Sequence, residues 1–523
     1  MTKDKPLSLD AVQAESPGSK KTADICLILE GSYPYIRGGV SSWVHQLIEG
    51  HPNYQFSIIF LGADRKNYEA MRYKLPANVC HFESHYLNED LNLGKPMTRH
   101  LDQRFIQGIK DIYKKIAGSG QVPDIEELGE NAHALLNNSQ LDLDDLFYSE
   151  EIWQLFLEIY YKNCPDHAFN EYFWTIRAMY SPLLSLIDIS RKIPDALCYH
   201  TISTGYAGAL GMFLRLQKNR PLILSEHGIY TKERQIDLYQ AEWIKEINRE
   251  YYSGLDDRTS ALRQLWIHFF EILGRLTYSA CTYTITLYER NRQKQIELGA
   301  NPDKAIVIHN GVKQTGLAKL RSLRTKEIPP VLCLLGRVVP IKDIKTYIYA
   351  VAELCKLYPE AEGWIVGPED EDEDYARECH ELVTQLKLEN KVKFLGFQRI
   401  EDILPKIGLI VLSSISEAQP LVILEGFAAG VPAISTDVGF SRGMIEGKNK
   451  QDRALGKAGA VVPIANPKEL ARAAADLLKD SKKWYAAQKA GIQRVESLYR
   501  ESIFLKHYQE LYKKVITNGG NRV

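Results

Sequence analysis

Long hydrophobic runs are missing from this sequence. Apolar stretches such as Leu409 to Leu412 are far shorter than the ~20 apolar residues that a membrane-spanning helix needs. The segment from Met1 to Lys21 is polar and lacks the apolar core of a secretory signal. We therefore expect a protein that is neither secreted through such a signal nor inserted directly into a membrane.

An excess of either charge is also missing. The 523 residues include 65 Lys and Arg against 66 Asp and Glu, so no overall field attracts nucleic acid or an anionic lipid surface. Any basic binding site must be local, and we expect no nucleic acid partner.

Paired cysteines are absent as well. The eight cysteines stand singly without a CxxC motif, and Cys26, Cys198 and Cys333 each lie in an apolar, strand-like run. This usage argues against a disulfide framework and is typical of reduced core thiols in the cytoplasm.

Two glutamates mark the most informative stretch, residues 413–439, which reads SSISEAQPLVILEGFAAGVPAISTDVG. Glu417 and Glu425 stand eight positions apart across a turn and the start of an apolar helix. Glu425 lies about one turn inside that helix, where it can accept hydrogen bonds from a ribose diol, and Glu417 lies in the preceding loop, where a hexose can reach it. The alternative is a plain strand–helix–strand unit with two solvated glutamates.

The start of this helix predicts an anion site. Pro420 can stand at or just before the first helical turn, where its missing N–H costs nothing. The free amides of Leu421 and Val422 would then point outward toward negative charge, and a diphosphate fits there.

A second stretch supplies two cations. Residues 331–347, VLCLLGRVVPIKDIKTY, are an apolar run that ends at Gly336, followed by Arg337 and, five residues on, Lys342. In an open α/β sheet, ligands bind at the carboxyl ends of the strands, where this run would deliver both cations. An arginine fork and a lysine point charge suit adjacent phosphates. With the two glutamates, the pattern indicates a nucleotide-activated sugar as ligand.

The order and spacing of these two cations and two glutamates resemble the C-terminal half of the family 4 glycosyltransferases. That family is built on two Rossmann-like domains facing across a cleft, the α/β architecture called GT-B. The resemblance implies that Arg337 and Lys342 hold the donor diphosphate, with Glu417 touching the transferred sugar. It further implies that Glu425 binds the ribose and that transfer retains the anomeric configuration.

Two longer segments, 225–234 and 337–345, are similar to the glycosyltransferases of bacterial Pel exopolysaccharide systems. Similarity of this kind covers roughly residues 24–60 and 195–500. The broader family usually has glycine after the first glutamate and after the lysine, whereas Ala418 and Asp343 stand at these positions here. The resemblance therefore leaves the identity of the donor sugar open.

A glycine loop follows the first predicted strand. The apolar run Ala23 to Leu29 leads into residues 30–40, which contain Gly38 and Gly39, and then into a helix that carries Trp43. Glycine lets the backbone approach a ligand and a helix N-terminus favours negative charge, although an ordinary turn is the alternative. The family resemblance implies that this loop lies opposite the donor phosphates.

Histidine ends two later apolar runs. His200 closes the run 195–200, and His227 closes the run 221–227. Histidines at the carboxyl ends of two strands in one sheet would face the same cleft, and the alternative for each is a hydrogen-bonded core histidine. The resemblance implies that His200 helps to bind the donor sugar and that His227 occupies a second cleft position.

Two further positions belong to the predicted nucleotide site. Residues 306–312 form a strand and a turn that resemble the segment leading into the interdomain linker of the family, and Asn310 lies in this turn. Phe397, just past Gly396, stands where the family holds the uracil base.

The chain length suits two α/β domains plus an insertion. From about residue 91 to 193, apolar and aromatic residues recur at helical spacing, which predicts a helical insertion. The insertion is a subdomain with its aromatic stripe packed inward or, alternatively, an acceptor groove or a partner-binding face. The expected order is a disordered N-terminus over 1–22, a first Rossmann-like domain over 23–312 with the insertion at about 95–193, a linker over 313–330, a second Rossmann-like domain over 331–498 and a helix over 499–523 that crosses back to the first domain.

Two patterns only resemble metal sites. The acidic run 370–374 contains Asp-x-Asp spacing, but such a run is typical of a solvated loop, and Arg337 and Lys342 already supply positive charge for a diphosphate. His81 and His85 share a face on a strand or a helix, but no third ligand is evident. We predict no metal site and no cofactor.

The resemblance implies a cytoplasmic retaining glycosyltransferase that uses UDP-glucose or a UDP-N-acetylhexosamine to extend a saccharide acceptor. It also implies partners in an inner-membrane synthase complex, which would hold the enzyme at the inner face of the membrane. Two other functions use the same donor. A nucleotide-sugar 2-epimerase or hydrolase would consume it without a saccharide acceptor, and a non-catalytic component of a synthase complex would only bind it.

Overall fold

The structure is a computed structural model that describes residues 22–68, 70–88, 149–241 and 261–520, together with Gln107, Lys110 and Leu136. The predicted N-terminal segment up to residue 21 and much of the predicted insertion lie outside the described residues. The chain divides into two compact units, one comprising Met1–Val307 and Gln509–Val523 and the other Ile308–Tyr508.

The first unit contains a parallel sheet in the order β3-β2-β1-β4-β5-β6-β7. Its strands are β1 Ala23–Glu30, β2 Phe56–Gly62, β3 Val79–Tyr86, β4 Ala196–Thr201, β5 Leu222–Glu226, β6 Tyr283–Thr286 and β7 Ala305–Val307. β2 is buried at every residue, as expected for a parallel strand covered on both faces. The strand order reverses between β1 and β4, where Leu27 pairs with Ile58 on one side and His200 on the other. Such a reversal is where ligands bind in open α/β sheets.

Helices cover this sheet. They are α1 Gly39–Glu49, α2 Glu150–Asn163, α3 Phe169–Lys192, α4 Tyr206–Lys218, α5 Tyr230–Gln240, α6 Ala261–Ala280 and α7 Glu289–Glu297, with a 3₁₀ turn at Arg65–Asn67. The α2 and α3 helices lie in the predicted insertion and pack aromatic side chains inward, since the buried Tyr172 donates its hydroxyl to the Phe156 carbonyl at 2.9 Å. Tyr161 and Trp174 on the same two helices are exposed, and the role of the insertion stays a prediction.

The second unit contains a parallel sheet in the order β10-β9-β8-β11-β12-β13. Its strands are β8 Val331–Leu335, β9 Glu362–Val366, β10 Val392–Phe394, β11 Leu409–Leu412, β12 Ala433–Thr436 and β13 Gly459–Val462. Its helices are α8 Gln314–Leu317, α9 Ile344–Leu357, α10 Glu373–Gln385, α11 Ile400–Ile403, α12 Leu421–Ala428, α13 Ser441–Glu446, α14 Lys450–Arg453, α15 Pro467–Lys479 and α16 Ser481–Leu498, with 3₁₀ turns at Ala318–Leu323, Pro340–Lys342 and Leu404–Lys406. The strand order reverses here between β8 and β11.

The predicted fold class, two Rossmann-like α/β domains of the GT-B type, is confirmed by these sheets. The last helix, α17 Glu501–Gly520, begins in the second unit, and its residues from Gln509 onward belong to the first unit. Among the described residues, no helix has the length and apolar character required to cross a membrane.

Candidate functional site

The candidate site of the second unit lies where β8 and β11 end. The chain leaves β8 at Gly336, whose φ of +157° falls where side chains are disfavoured. It passes close to Gly367, where an added Cβ would lie 1.9 Å from the Gly336 carbonyl oxygen. Close backbone packing therefore sets the direction in which the next residue, Arg337, leaves the strand.

Arg337 is half exposed and paired with a carboxylate from the acidic run. Its Nη1 lies 2.5 Å and 2.6 Å from the two carboxylate oxygens of Glu371. The sequence did not suggest this pairing, because the acidic run reads as a solvated loop. A diphosphate at this arginine would have to compete with Glu371.

Lys342 and Glu417, two predicted site residues, contact each other directly. The Lys342 Nζ lies 2.5 Å from the Glu417 Oε1, and that oxygen also accepts a hydrogen bond from the Ser414 hydroxyl at 3.0 Å. Lys342 ends a 3₁₀ turn, and Asp343 follows in the left-handed region with φ of +48°. Aspartate tolerates this conformation, and its side chain accepts the Thr346 amide at 3.2 Å as the N-cap of α9. This accounts for Asp343 where the family usually has glycine.

The loop that carries Glu417 is held by the chain after β12. Phe440 donates its amide to the Ala418 carbonyl at 2.7 Å. Gly439 has φ of +50°, and a Cβ there would lie 2.1 Å from the Glu417 carbonyl oxygen. The signal for Gly439 was a glycine three residues after a strand, which the sequence reasoning did not use.

The N-terminus of α12 has the geometry expected of an anion site. Pro420 is the N-cap residue, with φ of −67° and ψ of 115°. Among the described residues, the amides of Leu421 and Val422 have no hydrogen-bond acceptor, and the first capping contact is that of the Ile423 amide with the Pro420 carbonyl at 3.3 Å. Two adjacent N–H groups at a helix start can bind phosphate oxygens.

Glu425 lies in the second turn of α12 and is largely buried. Within the described residues its carboxylate makes no hydrogen bond or ion pair. Burial, with a smaller effect from Glu401, raises its pKa to about 7. A carboxylate in this position can accept hydrogen bonds from hydroxyl groups, and the role of Glu425 in binding a ribose stays a prediction.

Asn310 and Gln419 are buried beside this helix. The Asn310 amide donates to the Gln419 Oε1 at 2.8 Å, while the Asn310 Oδ1 and the Gln419 Nε2 have no hydrogen-bond partner among the described residues. Phe397 is 67% exposed after β10, and a flat base can stack on an exposed aromatic ring. The nucleotide-binding roles of Asn310 and Phe397 stay predictions.

The two patterns that resemble metal sites have other contacts. In the acidic run, Asp372 caps α10 by accepting the Tyr375 amide at 2.9 Å. On β3, Glu83 lies between His81 and His85, at 3.4 Å from each. Burial alone would raise the pKa of Glu83, but hydrogen bonds and charge from the two histidines lower it to about 2. No group of three or more potential metal ligands occurs in the part of the chain that the structure describes.

In the first unit, Gly38 and Gly39 form the exposed start of α1. A Cβ on either glycine would meet no atom within 4 Å, so packing within the protein does not require glycine here. Their role in approaching a ligand stays a prediction.

The two strand-end histidines of the first unit differ. His200 is fully buried, with Nδ1 2.7 Å from the Tyr512 hydroxyl and Nε2 2.8 Å from the Ser225 hydroxyl. Burial, reinforced by the neighbouring His227, lowers its pKa to about 3. This environment is that of the hydrogen-bonded core histidine, the alternative to the predicted sugar contact.

His227 is partly exposed, and neither ring nitrogen has a hydrogen-bond partner among the described residues. Its ring contacts the Trp43 ring with centroids 4.7 Å apart. Burial lowers the pKa of His227 to about 4, so the ring is neutral at pH 7. Of the two histidines, His227 is the less buried residue, and both of its ring nitrogens lie below the surface without a partner among the described residues.

Two family models match this chain. The model described as a domain of unknown function, DUF3492, matches residues 23–303, and the model described as glycosyl transferases group 1 matches residues 318–494. The first match covers more than half of the chain, and the second contains the cations and glutamates of the candidate site.

Curated relatives match over part of their length. The lipopolysaccharide core biosynthesis glycosyltransferase LpsE of Rhizobium meliloti is 31% identical over 195 residues, which cover 37% of this chain and 52% of that protein. The N-acetyl-alpha-D-glucosaminyl L-malate synthase of Bacillus anthracis is 29% identical over 142 residues, covering 27% and 35%. The chain thus spans about half or less of the length of these relatives.

Solved structures match over nearly the whole chain. Sucrose-phosphate synthase from Thermosynechococcus elongatus has a TM-score of 0.57 at 15% identity, covering 95% of this chain and 100% of that one. The Anabaena protein Alr3699/HepE in complex with UDP and glucose has a TM-score of 0.55 at 15% identity, covering 94% and 99%. At these identities the likeness establishes the fold. The chain has the GT-B fold and belongs to the DUF3492 family, and its second unit matches the model described as glycosyl transferases group 1.

Proposed function

We propose that this protein transfers a hexosyl unit from a UDP-sugar to a saccharide acceptor with retention of anomeric configuration. One observation carries the proposal. In a single unit, at the ends of β8 and β11, Lys342 contacts Glu417 beside a helix start that has two free amides, and Glu425 lies one turn further along that helix without a partner among the described residues.

The donor diphosphate binds at the cations and the helix start. Arg337 and Lys342 exchange their carboxylate partners for phosphate oxygens, and the amides of Leu421 and Val422 donate to the same group. Positive charge held in place here stabilises the leaving diphosphate as its charge develops. The proposed site uses no metal, because these groups supply the neutralising charge.

The nucleoside and the sugar occupy the two sides of this anion site. We assign the ribose diol to Glu425, the base to Phe397, and a supporting contact to Asn310. Release of Lys342 leaves the Glu417 carboxylate, still hydrogen-bonded to Ser414, available to the hexose hydroxyls.

The first unit supplies the acceptor side. We assign the Gly38–Gly39 loop to ligand approach, and His200 and His227 to the sugar, with His227 the less buried of the two histidines. Of these two, the environment of His227 supports a direct sugar contact better, whereas that of His200 supports the fold of the sheet end.

The reaction balances without a protein nucleophile. The bond between the anomeric carbon and the diphosphate oxygen breaks, and the acceptor hydroxyl oxygen forms the new bond on the same face. The acceptor proton passes to the departing diphosphate oxygen. Protein groups then act by orienting the reactants and stabilising charge.

The polymer assignment follows from the segments 225–234 and 337–345, which resemble glycosyltransferases of Pel exopolysaccharide systems. We propose a Pel-type exopolysaccharide as product and an inner-membrane synthase complex as partner, with the protein at the cytoplasmic face. The free thiols of all eight cysteines are compatible with a reducing compartment.

The test is a titration of the purified protein with a panel of nucleotide sugars, followed by product analysis with saccharide acceptors. We expect one UDP-sugar to bind more tightly than UDP and a new glycosidic product to form. If the only product is a 2-epimer of the nucleotide sugar, the protein is an epimerase. If the only product is free hexose, it is a hydrolase. A third outcome is that the protein binds a UDP-sugar without forming product, even when membrane fractions that contain the synthase complex are added. That result would make it a non-catalytic component of the complex.

A further inference from the structure

Glu226 is a buried carboxylate at the end of β5, with 2% of its surface exposed. It accepts hydrogen bonds from the Tyr278 hydroxyl at 2.6 Å, from the Gln295 amide at 3.0 Å and from the Tyr230 backbone N–H at 2.9 Å. No cation among the described residues pairs with it. Burying a carboxylate without a cation is costly, and these three donors offset part of that cost by satisfying its oxygens.

At the end of β5, Glu226 and His227 lie on opposite faces of the sheet. Side chains of successive strand residues alternate between faces. Ser225 bonds to His200, and the Trp43 ring on α1 contacts both His200 and His227, at 6.2 Å and 4.7 Å between centroids. Glu226 instead bonds to α6 and α7. His227 therefore lies on the α1 face of the sheet, and the preceding residue, Glu226, is hydrogen-bonded to helices on the opposite face.

The loop that carries His227 is short and closed by Glu226. Three residues, His227 to Ile229, separate Glu226 from Tyr230, the first residue of α5. The Glu226 Oε1 accepts a hydrogen bond from the amide of that first helical residue, which satisfies one of the N–H groups at the helix start. A Cβ on Gly228 would lie 1.7 Å from the Glu233 Oε1, so the loop packs against its own helix.

We propose that Glu226 is a positioning residue for His227: its carboxylate fixes the loop 227–229 onto the start of α5 and thereby sets where the His227 ring meets a bound saccharide. The inference rests on the proposed function, since it assigns the ring to the sugar side of that reaction. Its structural part, the closure of the loop by Glu226, holds independently of turnover.

The test compares Glu226→Gln and Tyr278→Phe with Tyr172→Phe. Tyr172→Phe is the matched control, because it removes one hydrogen bond of a buried tyrosine on α3 and no contact of the loop. Four quantities are measured: kcat and KM for the UDP-sugar, UDP affinity by calorimetry, and hydrogen–deuterium exchange of the peptide covering 227–233.

We expect faster exchange of the Tyr230 amide and a kcat lower by about ten-fold or more in Glu226→Gln, because small misplacements of a positioned group can cost about 100-fold. The same changes, smaller in size, are expected in Tyr278→Phe. UDP affinity stays at the parent value, because the proposed contacts to the diphosphate, the ribose and the base include neither Glu226 nor the loop 227–229. The control keeps parent kcat and exchange.

Unchanged exchange in both test variants overturns the loop closure, and faster exchange with parent kcat overturns the positioning role. A loss of UDP affinity that parallels the loss of kcat also overturns it, since a general loss of structure would then explain both. If Glu226→Gln does not fold, Tyr278→Phe decides. If the parent protein transfers no sugar, the proposed function and the positioning role both fall, and the exchange measurement still decides whether Glu226 closes the loop.

Discussion

Each of the two candidate phosphate-binding cations is paired with a carboxylate. Arg337 contacts Glu371 with both partners about half exposed, whereas Lys342 and Glu417 are mostly buried. Exposed ion pairs contribute little to stability, typically about 0.2–1 kcal/mol. Phosphate oxygens can therefore replace Glu371 at small cost.

We expect Arg337→Ala and Lys342→Ala each to weaken UDP binding roughly ten- to a hundred-fold, because a hydrogen bond to a charged group contributes about 1.5–3 kcal/mol. Lys345→Ala is the control, since that lysine, on α9, pairs with Glu378 on α10. Isothermal titration calorimetry with UDP measures the effect. Parent affinity in both folded variants would place the phosphate site elsewhere.

Glu371→Gln is expected to strengthen UDP binding by a few-fold at most, because Arg337 loses a competing carboxylate whose pairing is worth no more than about 1 kcal/mol. The nearby Glu373→Gln removes the same charge without removing that contact and serves as control. If UDP affinity rises equally in both variants, the change in net charge explains the effect and the contact with Arg337 does not. No gain in Glu371→Gln would mean that Glu371 does not compete with the diphosphate.

Glu425 makes a pH-dependent contribution to stability. Its pKa is raised from 4.5 to about 7 in the folded protein, so the folded state holds a proton that the unfolded state releases between these values. The contribution is fully present below about pH 4.5 and is lost as the pH rises through about 7. We expect Glu425→Gln to melt at a higher temperature than the parent at pH 8 and at a similar temperature at pH 5. A difference that does not change with pH would contradict the raised pKa.

At the scale of elements, the acidic run is the beginning of a helix. Asp372 caps α10, Asp374 bonds to Arg377 within its first turns, and Glu371 reaches Arg337. The carboxylates of all three residues therefore already have partners within the second unit. The Asp-x-Asp pattern is the same whether the aspartates cap a helix or bind a metal. The hydrogen bonds seen in the structure distinguish the two cases.

We expect glycosyl transfer to continue in the presence of EDTA. We also expect Asp372→Ala to lower the free energy of unfolding by about 0.5–2 kcal/mol, because the helix cap is lost, and to keep the parent UDP affinity. Asp374→Ala, which loses only an exposed pair, should stay near the parent in stability. Denaturant titration and an activity assay in chelator measure both effects. Activity that disappears in EDTA and returns with magnesium or manganese would overturn the assignment.

At the scale of the whole molecule, the second unit contains the proposed donor contacts and the first unit the proposed acceptor side. The reaction type then follows from what the chain offers around the anomeric carbon. Inversion needs a base on the face opposite the diphosphate, whereas retention uses the diphosphate oxygen as the proton acceptor.

Starting from an α-linked UDP-hexose, we expect a product with an α-glycosidic bond. The coupling constant of the new anomeric proton in the NMR spectrum measures the configuration. A β product would contradict retention and would direct the search for a base to the first unit, beginning with His227.

The sequence predicted two α/β domains from the chain length and from short apolar runs typical of buried parallel strands, and the resemblance to a glycosyltransferase family implied that both domains are Rossmann-like. It also singled out candidate donor residues in one unit, and their roles stay predictions. These candidates, which follow recognisable strands, are Arg337, Lys342, Glu417 and the start of α12. These features depend on local patterns, and local patterns are visible along the chain.

Only the tertiary structure decided which partner each charge has. Glu371 meets Arg337 across 34 positions, and Ser225 meets His200 across 25, contacts that no local pattern encodes. The two histidines look alike in sequence, since each closes an apolar run. Packing separates them, because the neighbours of His200 bury and hydrogen-bond its ring, while His227 lies past the strand end with its nitrogens unpaired among the described residues. Pairing and burial depend on how distant segments meet, and that is a property of the fold.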